Sequence, residues 1–321
     1  MKVFLAGATG AIGRRLVPQL VEAGHQVTAM TRTKEKLGEL YELGAEPVLC
    51  DVFDAGRLGS AIARAEPEAV INQLTDLPQT LNPRKLAEYY AANNRVRREG
   101  TANLLDAARG AGIGRFLVQG SAYWYAQAGG PVKTEEAPLY LDAPAPIGPA
   151  VKTIKEVEDT VLSADSIEGV VLRYGTFYGP GTWYAKDGDI GRQVSKRRFP
   201  VIGGGEGTYS FIHVDDAASA TVAALESARP GVYNVVDDDP ATAAEWMPVY
   251  AEALGAKRPP RVPAFLARVI AGHALVTWML ELRGASNEKI KGELGWHPRY
   301  ESWRRGFFEE AAGRTPRGVA N

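Results

Sequence analysis

Glycine is the residue type with the clearest chemical use in this chain. Gly7-Ala8-Thr9-Gly10-Ala11-Ile12-Gly13 follows an apolar run and leads into a helical pattern. Glycine allows a tight turn and lets a ligand reach the backbone, while a helix start offers free N–H groups and the positive end of its dipole. That combination holds a pyrophosphate, so Gly7, Thr9, Gly10, Ala11, Ile12 and Gly13 are expected to cradle a dinucleotide. The end of the next apolar run reads Ala29-Met30-Thr31-Arg32-Thr33-Lys34. An acid there would bind the ribose 2′-hydroxyl of NAD, whereas an arginine accommodates the 2′-phosphate of NADP. With no acid and two cations, Arg32 and Lys34, the expected cofactor is NADP(H). The planar guanidinium of Arg32 can bind two phosphate oxygens at once.

These residues need a scaffold that places a turn at the end of a strand. Short apolar runs at Lys2–Ala6, Gln26–Thr31, Glu46–Cys50, Ala69–Leu74, Arg115–Gly120 and Gly169–Tyr174 alternate with helical patterns, the signature of parallel βαβ units. The first helix carries Ile12, Leu16, Leu20 and Val21 on one face and stops at Gly24. A second pattern runs from about Lys85 to Arg109 with Leu104, Leu105 and Ala108 inward. Pro149 suits the first turn of the helix that carries Lys152. After Tyr174 a loop-rich stretch lies between Gly179-Pro180-Gly181 and Gly203-Gly204-Gly205, and strand signals return at Phe211–Val214 and Gly231–Val236. The expected architecture is an α/β Rossmann fold, a doubly wound parallel sheet with a smaller, mostly helical C-terminal substrate lobe. Residues 1–175 plus about 209–238 form the NADP(H)-binding unit, about 176–208 plus 239–312 the lobe, and 313–321 a frayed tail.

Charge and composition remove several function classes. The 37 Lys+Arg against 38 Asp+Glu of the 321 residues give a formal net charge of −1, without the basic excess that binding a nucleic-acid backbone demands. Cys50 lies in an apolar run and reads as a buried strand residue. The start of the chain enters a strand directly, with no signal-peptide pattern, so a cytoplasmic location is expected. The apolar stretch Phe265–Leu282 holds Arg268, His273 and Glu281 and falls short of the roughly 20 apolar residues of a membrane span; it reads as a buried or lid helix. No His, Cys and acid cluster shows metal-ligand spacing. A small-molecule substrate is the expected partner, with no membrane, and the sequence leaves a homodimer open.

The G-x-x-G-x-x-G spacing resembles the short-chain dehydrogenase/reductase superfamily. Further matches follow in order: Leu172-Arg173-Tyr174-Gly175-Thr176-Phe177-Tyr178-Gly179-Pro180-Gly181, Phe211-Ile212-His213-Val214-Asp215-Asp216, and Leu294-Gly295-Trp296-His297-Pro298. They resemble the extended members, specifically the NAD-dependent epimerase/dehydratase branch. The resemblance implies that Asp51 and Val52 contact the adenine, that Gln73 and Leu74 pass the nicotinamide ribose, and that Tyr174 and Thr176 cover the nicotinamide. It matches Ser121 to the family serine that orients the carbonyl and Lys152 to the lysine that holds the ribose. Asn94 resembles the family asparagine with its spacing shifted, and His213 the packed histidine of its strand.

The same resemblance exposes a gap. The family tyrosine stands four residues before the lysine, where an ammonium brings its phenol, ordinarily ionising near 10, into play as an acid or base. Here that position is Gly148, as in atypical members. Three explanations stay open. Another phenol delivers the proton, with Tyr123 and Tyr178 ahead of the structural Tyr125; or water or a substrate group moves it; or no hydride is transferred and the fold is an NADP(H)-dependent sensor. Thr75, Ser121, Thr176, Tyr178, Trp183 and Tyr184 form the expected substrate pocket, better suited to an apolar or aromatic carbonyl compound than to a sugar nucleotide. The leading expectation is an NADP(H)-dependent oxidoreductase of carbonyl reductase or alcohol dehydrogenase type acting on a small or medium substrate. A non-catalytic NADP(H)-binding regulator and a nucleotide-sugar epimerase or dehydratase are the alternatives. For a sugar diphosphate, Arg192, Lys196, Arg197 and Arg198 would supply the cations.

Overall fold

The structure, a computed structural model, describes residues 1–313; the remainder of the expected tail, 314–321, lies outside the described residues. Its centre is a parallel sheet of seven strands: β1 (Lys2–Ala6), β2 (Gln26–Thr31), β3 (Glu46–Leu49), β4 (Ala69–Asn72), β5 (Arg115–Ser121), β6 (Glu168–Tyr174) and β7 (Gly231–Val235), in the spatial order β7-β6-β5-β4-β1-β2-β3. The order reverses between β1 and β4, and ligands of such sheets bind at that crevice, beyond the C-terminal strand ends. Successive side chains of each strand enter opposite layers. Val3 and Leu5 pack with Leu16, Val17 and Leu20 of α1 (Gly13–Glu22) and with helix Val214–Ser227. Phe4 and Ala6 pack with α3 (Ala55–Ala65), α5 (Thr101–Gly110) and α6 (Ile147–Leu162), while α2 (Leu37–Glu42) and α4 (Leu86–Arg95) complete the labelled helices. Each fully buried Leu, Val or Phe contributes about 1.5–3 kcal/mol.

Several local expectations need correction. Val21 is 38% exposed, outside the buried stripe of α1, and Gly24, with φ +83°, ends that helix as expected. The Lys85–Arg109 pattern is interrupted by a π-helical turn, Val96–Gly100, between α4 and α5. α6 begins at Ile147, so Pro149 is its third residue, still in the turn where a missing N–H costs nothing. Phe265–Leu282 is neither one helix nor buried: Ala264–Ala271 and His273–Glu281 meet at Gly272, whose φ is +89°, and Val269 is 84% exposed.

The second lobe has its own aromatic core, with Phe211, Trp246, Tyr250, Trp303 and Phe307 together. The strand Phe211–His213 pairs in parallel with Thr176–Tyr178, outside the main sheet, at the seam of the two regions. Phe211 enters the lobe core while its neighbour Ile212 enters the sheet core.

Candidate active site

β1 delivers the glycine turn to the crevice between β1 and β4. Gly7 has φ +90°, and a Cβ there would fall 2.6 Å from the Gln73 carbonyl carbon. A Cβ on Gly13 would sit 2.3 Å from the Gly7 carbonyl oxygen. Both glycines are therefore sterically required, whereas Gly10 would meet the Gly7 carbonyl at 3.3 Å, a contact that small shifts relieve. Among the described residues the N–H groups of Ala11 and Ile12 have no backbone acceptor, so they are available to an anion before α1. The Gly179-Pro180-Gly181 loop passes alongside: the side-chain position of Gly181 is 3.8 Å from the Ala11 Cβ. Thr9 is half-buried on the same turn. These features fit a dinucleotide pyrophosphate.

At the end of β2, Arg32 keeps 62% of its side chain exposed, and its nearest acid, Asp76, is 3.9 Å away. That pair is too long and wet to fix the guanidinium. Lys34 opens a short 3-10 turn and is exposed. Asp51 lies just past β3, with Oδ1 accepting the Phe53 N–H at 3.0 Å. Val52 is buried against the π-turn, where a Cβ on Gly100 would come 3.3 Å from it. Half-buried Leu74 donates its N–H to Asn72 Oδ1 at 3.0 Å.

Beyond β4 and β5 the site becomes polar and incompletely paired. Ser121 ends β5, is 2% exposed, and its Oγ has no hydrogen-bond partner. An orphaned buried hydroxyl costs about 1–3 kcal/mol, which a ligand atom would recover. Gln73 Nε2 donates to the Tyr174 hydroxyl at 2.9 Å, and its Oε1 is left without a partner. Thr176 is half-buried and donates its N–H to the Ser210 carbonyl at 2.8 Å. Lys152, one turn into α6, is exposed and forms no ion pair with a described residue.

The backbone has closed on Gly148, four residues before Lys152. A Cβ there would lie 2.0 Å from the Ala143 carbonyl oxygen. The Gly148 N–H also donates to the Pro144 carbonyl at 3.2 Å, holding the 143–146 loop against the helix start.

Two of the expected aromatic participants are displaced. Tyr178 is completely buried, its ring 5.1 Å from His213 and 5.1 Å from Phe307, with its hydroxyl against Gly306 and unpartnered. Burial, followed by the charges of Asp237 and Asp216, pushes its phenol well above the ordinary value. Tyr178 is a core residue of the lobe, with no route to a substrate. Tyr174 is likewise enclosed, its hydroxyl shared between Gln73 and Thr221 at 2.9 and 2.7 Å, so its side chain supports Gln73 and cannot itself cover a cofactor. Tyr125 hydrogen-bonds Asn234 at 2.6 Å and Arg173 at 3.0 Å, a structural role as expected. Tyr123 is half-buried, two residues after Ser121, with its ring 5.0 Å from Trp124 and 6.3 Å from Trp278. Trp183 Nε1 donates to the Pro78 carbonyl at 2.9 Å, tying the glycine-rich cover to the loop after β4. Tyr184 packs its ring on Phe211 and Trp246 in the lobe core, while Thr75 is exposed.

Two residues were missed by sequence reasoning. Asn93, rather than Asn94, is buried and accepts the Asp76 N–H at 2.9 Å. Arg97, on the π-turn, is 8% exposed, caps the Gln119 carbonyl at 2.8 Å and leaves its Nε unpartnered. Burial lowers its pKa, partly offset by Tyr123 and Glu158. Both positions fall on the helical face of buried Leu104 and Ala108, but asparagine and arginine are ordinarily exposed, so their residue types hid them.

Residues 3–236 match the model of the NAD dependent epimerase/dehydratase family. A Streptomyces 3-diazoavenalumate denitrifying reductase is 44% identical over 311 residues, covering 97% of this chain and 100% of that protein. A 2-alkyl-3-oxoalkanoate reductase from Stenotrophomonas maltophilia is 27% identical over 277 residues, covering 83% and 79%. Among solved structures, UDP-glucose 4-epimerase from Thermotoga maritima, with UDP-glucose, superposes with a TM-score of 0.78 at 19% identity, covering 97% of this chain and 98% of that one. The human epimerase family protein SDR39U1, with NADPH, gives 0.74 at 22% identity, covering 97% and 99%. With this sheet order, this glycine turn and this match, the chain belongs to the NAD-dependent epimerase/dehydratase family and has its Rossmann fold.

Proposed function

We propose that this protein is an NADP(H)-dependent reductase of a small to medium substrate, with an arenediazonium compound favoured over a carbonyl compound. The carrying observation is Gly148 with the Ala143 carbonyl in its side-chain space. A ketone that takes up hydride becomes an alkoxide and needs a proton, the task of the family tyrosine. A diazonium group does not: NADPH supplies the hydride in R–N2⁺ + NADPH → R–H + N2 + NADP⁺, dinitrogen departs with the electron pair of the broken C–N bond, and no proton is consumed. The 44% identical denitrifying reductase supports this choice.

The chain's own residues have limited, definite tasks in this reading. Ala11 and Ile12 N–H groups hold the pyrophosphate, Arg32 and Lys34 the 2′-phosphate, and Lys152 the nicotinamide ribose. The Ser121 hydroxyl donates to the substrate. The cover pinned by Trp183 excludes water. A carbonyl reductase that uses Tyr123 as its acid is the second reading, favoured by half-buried Tyr123 two residues after the unpartnered Ser121 hydroxyl.

The test follows NADPH absorbance and nitrogen release with an arenediazonium carboxylate beside a panel of 3-oxo acids and ketones, with Ser121→Ala as the control for uncatalysed reduction. Enzyme-dependent nitrogen release supports the first reading, and oxidation only with carbonyl compounds supports the second. Tight NADPH binding with no oxidation by either class would sink both and favour a sensor. Arg32→Ala should weaken NADPH binding by about 10–100-fold, the loss of a charge-assisted hydrogen bond of about 1.5–3 kcal/mol, and leave NADH binding unchanged.

A further inference from the structure

We infer that a cleft between helix His273–Glu281 and the segment leading into α4 is the subsite for an anionic, apolar tail of the substrate, and that Arg84 selects the anion. The inference rests on the reductase reading only for the identity of the site it serves.

The cleft has a volume of about 480 Å³, in the range of small-molecule sites. Its walls include Leu86 and Ala87 from the start of α4, Pro144 and Pro146 from the loop that closes on Gly148, and Leu275 from the facing helix. Arg84 is the one full-time cation in that lining. Its guanidinium has no carboxylate partner among the described residues, whereas neighbouring Lys85 pairs with Glu88 at 3.6 Å. An unpaired guanidinium at the edge of an apolar cleft fits a carboxylate attached to a hydrocarbon or aryl body.

The cleft also points toward the chemistry. Leu86 and Tyr90 are four residues apart on α4, and Ala274 and Trp278 four apart on the opposing helix, so each pair shares a face. The inner members meet in one aromatic cluster: Trp124 lies 6.1 Å from Tyr90 and 5.2 Å from Trp278, and Tyr123 joins both tryptophans. Tyr123 is two residues from the orphaned Ser121 hydroxyl. The cleft walls Leu86 and Ala274 are thus each one helical turn from this cluster, so an aryl body seated in the cleft lies on the side of the site that carries Tyr123.

The test uses a non-reacting probe, so it does not depend on turnover. Cinnamate and neutral cinnamamide are titrated into the NADP⁺-loaded protein by calorimetry, with tryptophan fluorescence reporting on Trp124 and Trp278. Arg84→Gln should weaken cinnamate binding about tenfold and leave cinnamamide unaffected. Ala87→Trp, which fills the exposed wall, should abolish binding of both while NADP⁺ binding is retained. Unchanged cinnamate affinity in Arg84→Gln, or unchanged binding in Ala87→Trp, overturns the inference. If the probes behave as expected but no substrate class oxidises NADPH, the subsite stands and the reductase reading falls.

Discussion

Placing a tyrosine four residues before Lys152, in the Gly148→Tyr variant, should not confer ketone reduction. The added Cβ would fall 2.0 Å from the Ala143 oxygen, against an ordinary contact of 3.4 Å or more, so backbone must separate by about 1.4 Å before any phenol is placed. The obstructing atom is a carbonyl of the loop that also accepts hydrogen bonds from Ile147 and Gly148 through Pro144. Neither rotamer choice nor a flexible neighbour can relieve it. Overpacking of this kind costs about 1–3 kcal/mol. Each kcal/mol lowers the melting temperature of a domain of about 150–250 residues by about 2–4 °C, and a longer chain by no more, so a fall of up to roughly 12 °C is expected. The assay is a thermal melt monitored by circular dichroism, paired with NADPH oxidation against a ketone panel. Gly148→Ala should show most of the same destabilisation, because the first carbon makes the clash. An unchanged melting temperature together with a tenfold gain in ketone reduction by Gly148→Tyr would refute the reasoning.

The remaining predictions concern the cofactor turn, the orphaned hydroxyl and alkaline stability. Gly13→Ala, with its Cβ 2.3 Å from the Gly7 oxygen, should abolish NADPH binding by calorimetry, while Gly10→Ala, at 3.3 Å, should weaken it by less than about tenfold. Ser121→Ala should melt at the same temperature as the parent or higher, since it removes a buried hydroxyl with no partner, yet lose at least about tenfold in turnover; a destabilised and fully active variant would contradict the assigned role. Burial, against its hydrogen bonds with Thr221 and Gln73, pushes the Tyr174 phenol up to about 12 from 10.0. The folded form therefore resists an ionisation that the unfolded chain undergoes near 10, so its contribution to stability is complete below pH 10 and is lost as pH rises toward 12. Denaturant melts across that window, with Tyr174→Phe for comparison, measure the effect.

The apolar runs located all seven sheet strands to within two residues: burial on both faces leaves the central strands few alternatives, and the half-exposed edge strand Glu46–Leu49 keeps its place in the alternation with helices. The glycine turn was legible for a local reason: its steric demands are met within the turn itself and the strand end beside it. Tyr178 was misjudged because a tyrosine following a strand looks the same in sequence whether its hydroxyl faces a ligand or, as here, a glycine of the C-terminal helix Trp303–Ala311 more than a hundred residues later. Arg97 was missed because an arginine is ordinarily exposed, although its position shares a helical face with buried Leu104 and Ala108. The exposed face of Ala264–Ala271 was misread for the opposite reason. Phe265, Leu266, Val269 and Ile270 have the composition of a core but not its surroundings.

The strand Phe211–His213 has a consequence for how the molecule comes apart. Phe211 belongs to one core and Ile212 to another, and buried His213 reaches Glu310 of the last helix at 3.0 Å. Three consecutive residues therefore join the sheet, the lobe and the far end of the described chain, and none can leave its place while the other two stay. Sheet and lobe should unfold as one cooperative unit, with coincident transitions by fluorescence and circular dichroism. A fragment cut before the last helix should lose order on both sides of the seam rather than leave a folded nucleotide-binding half.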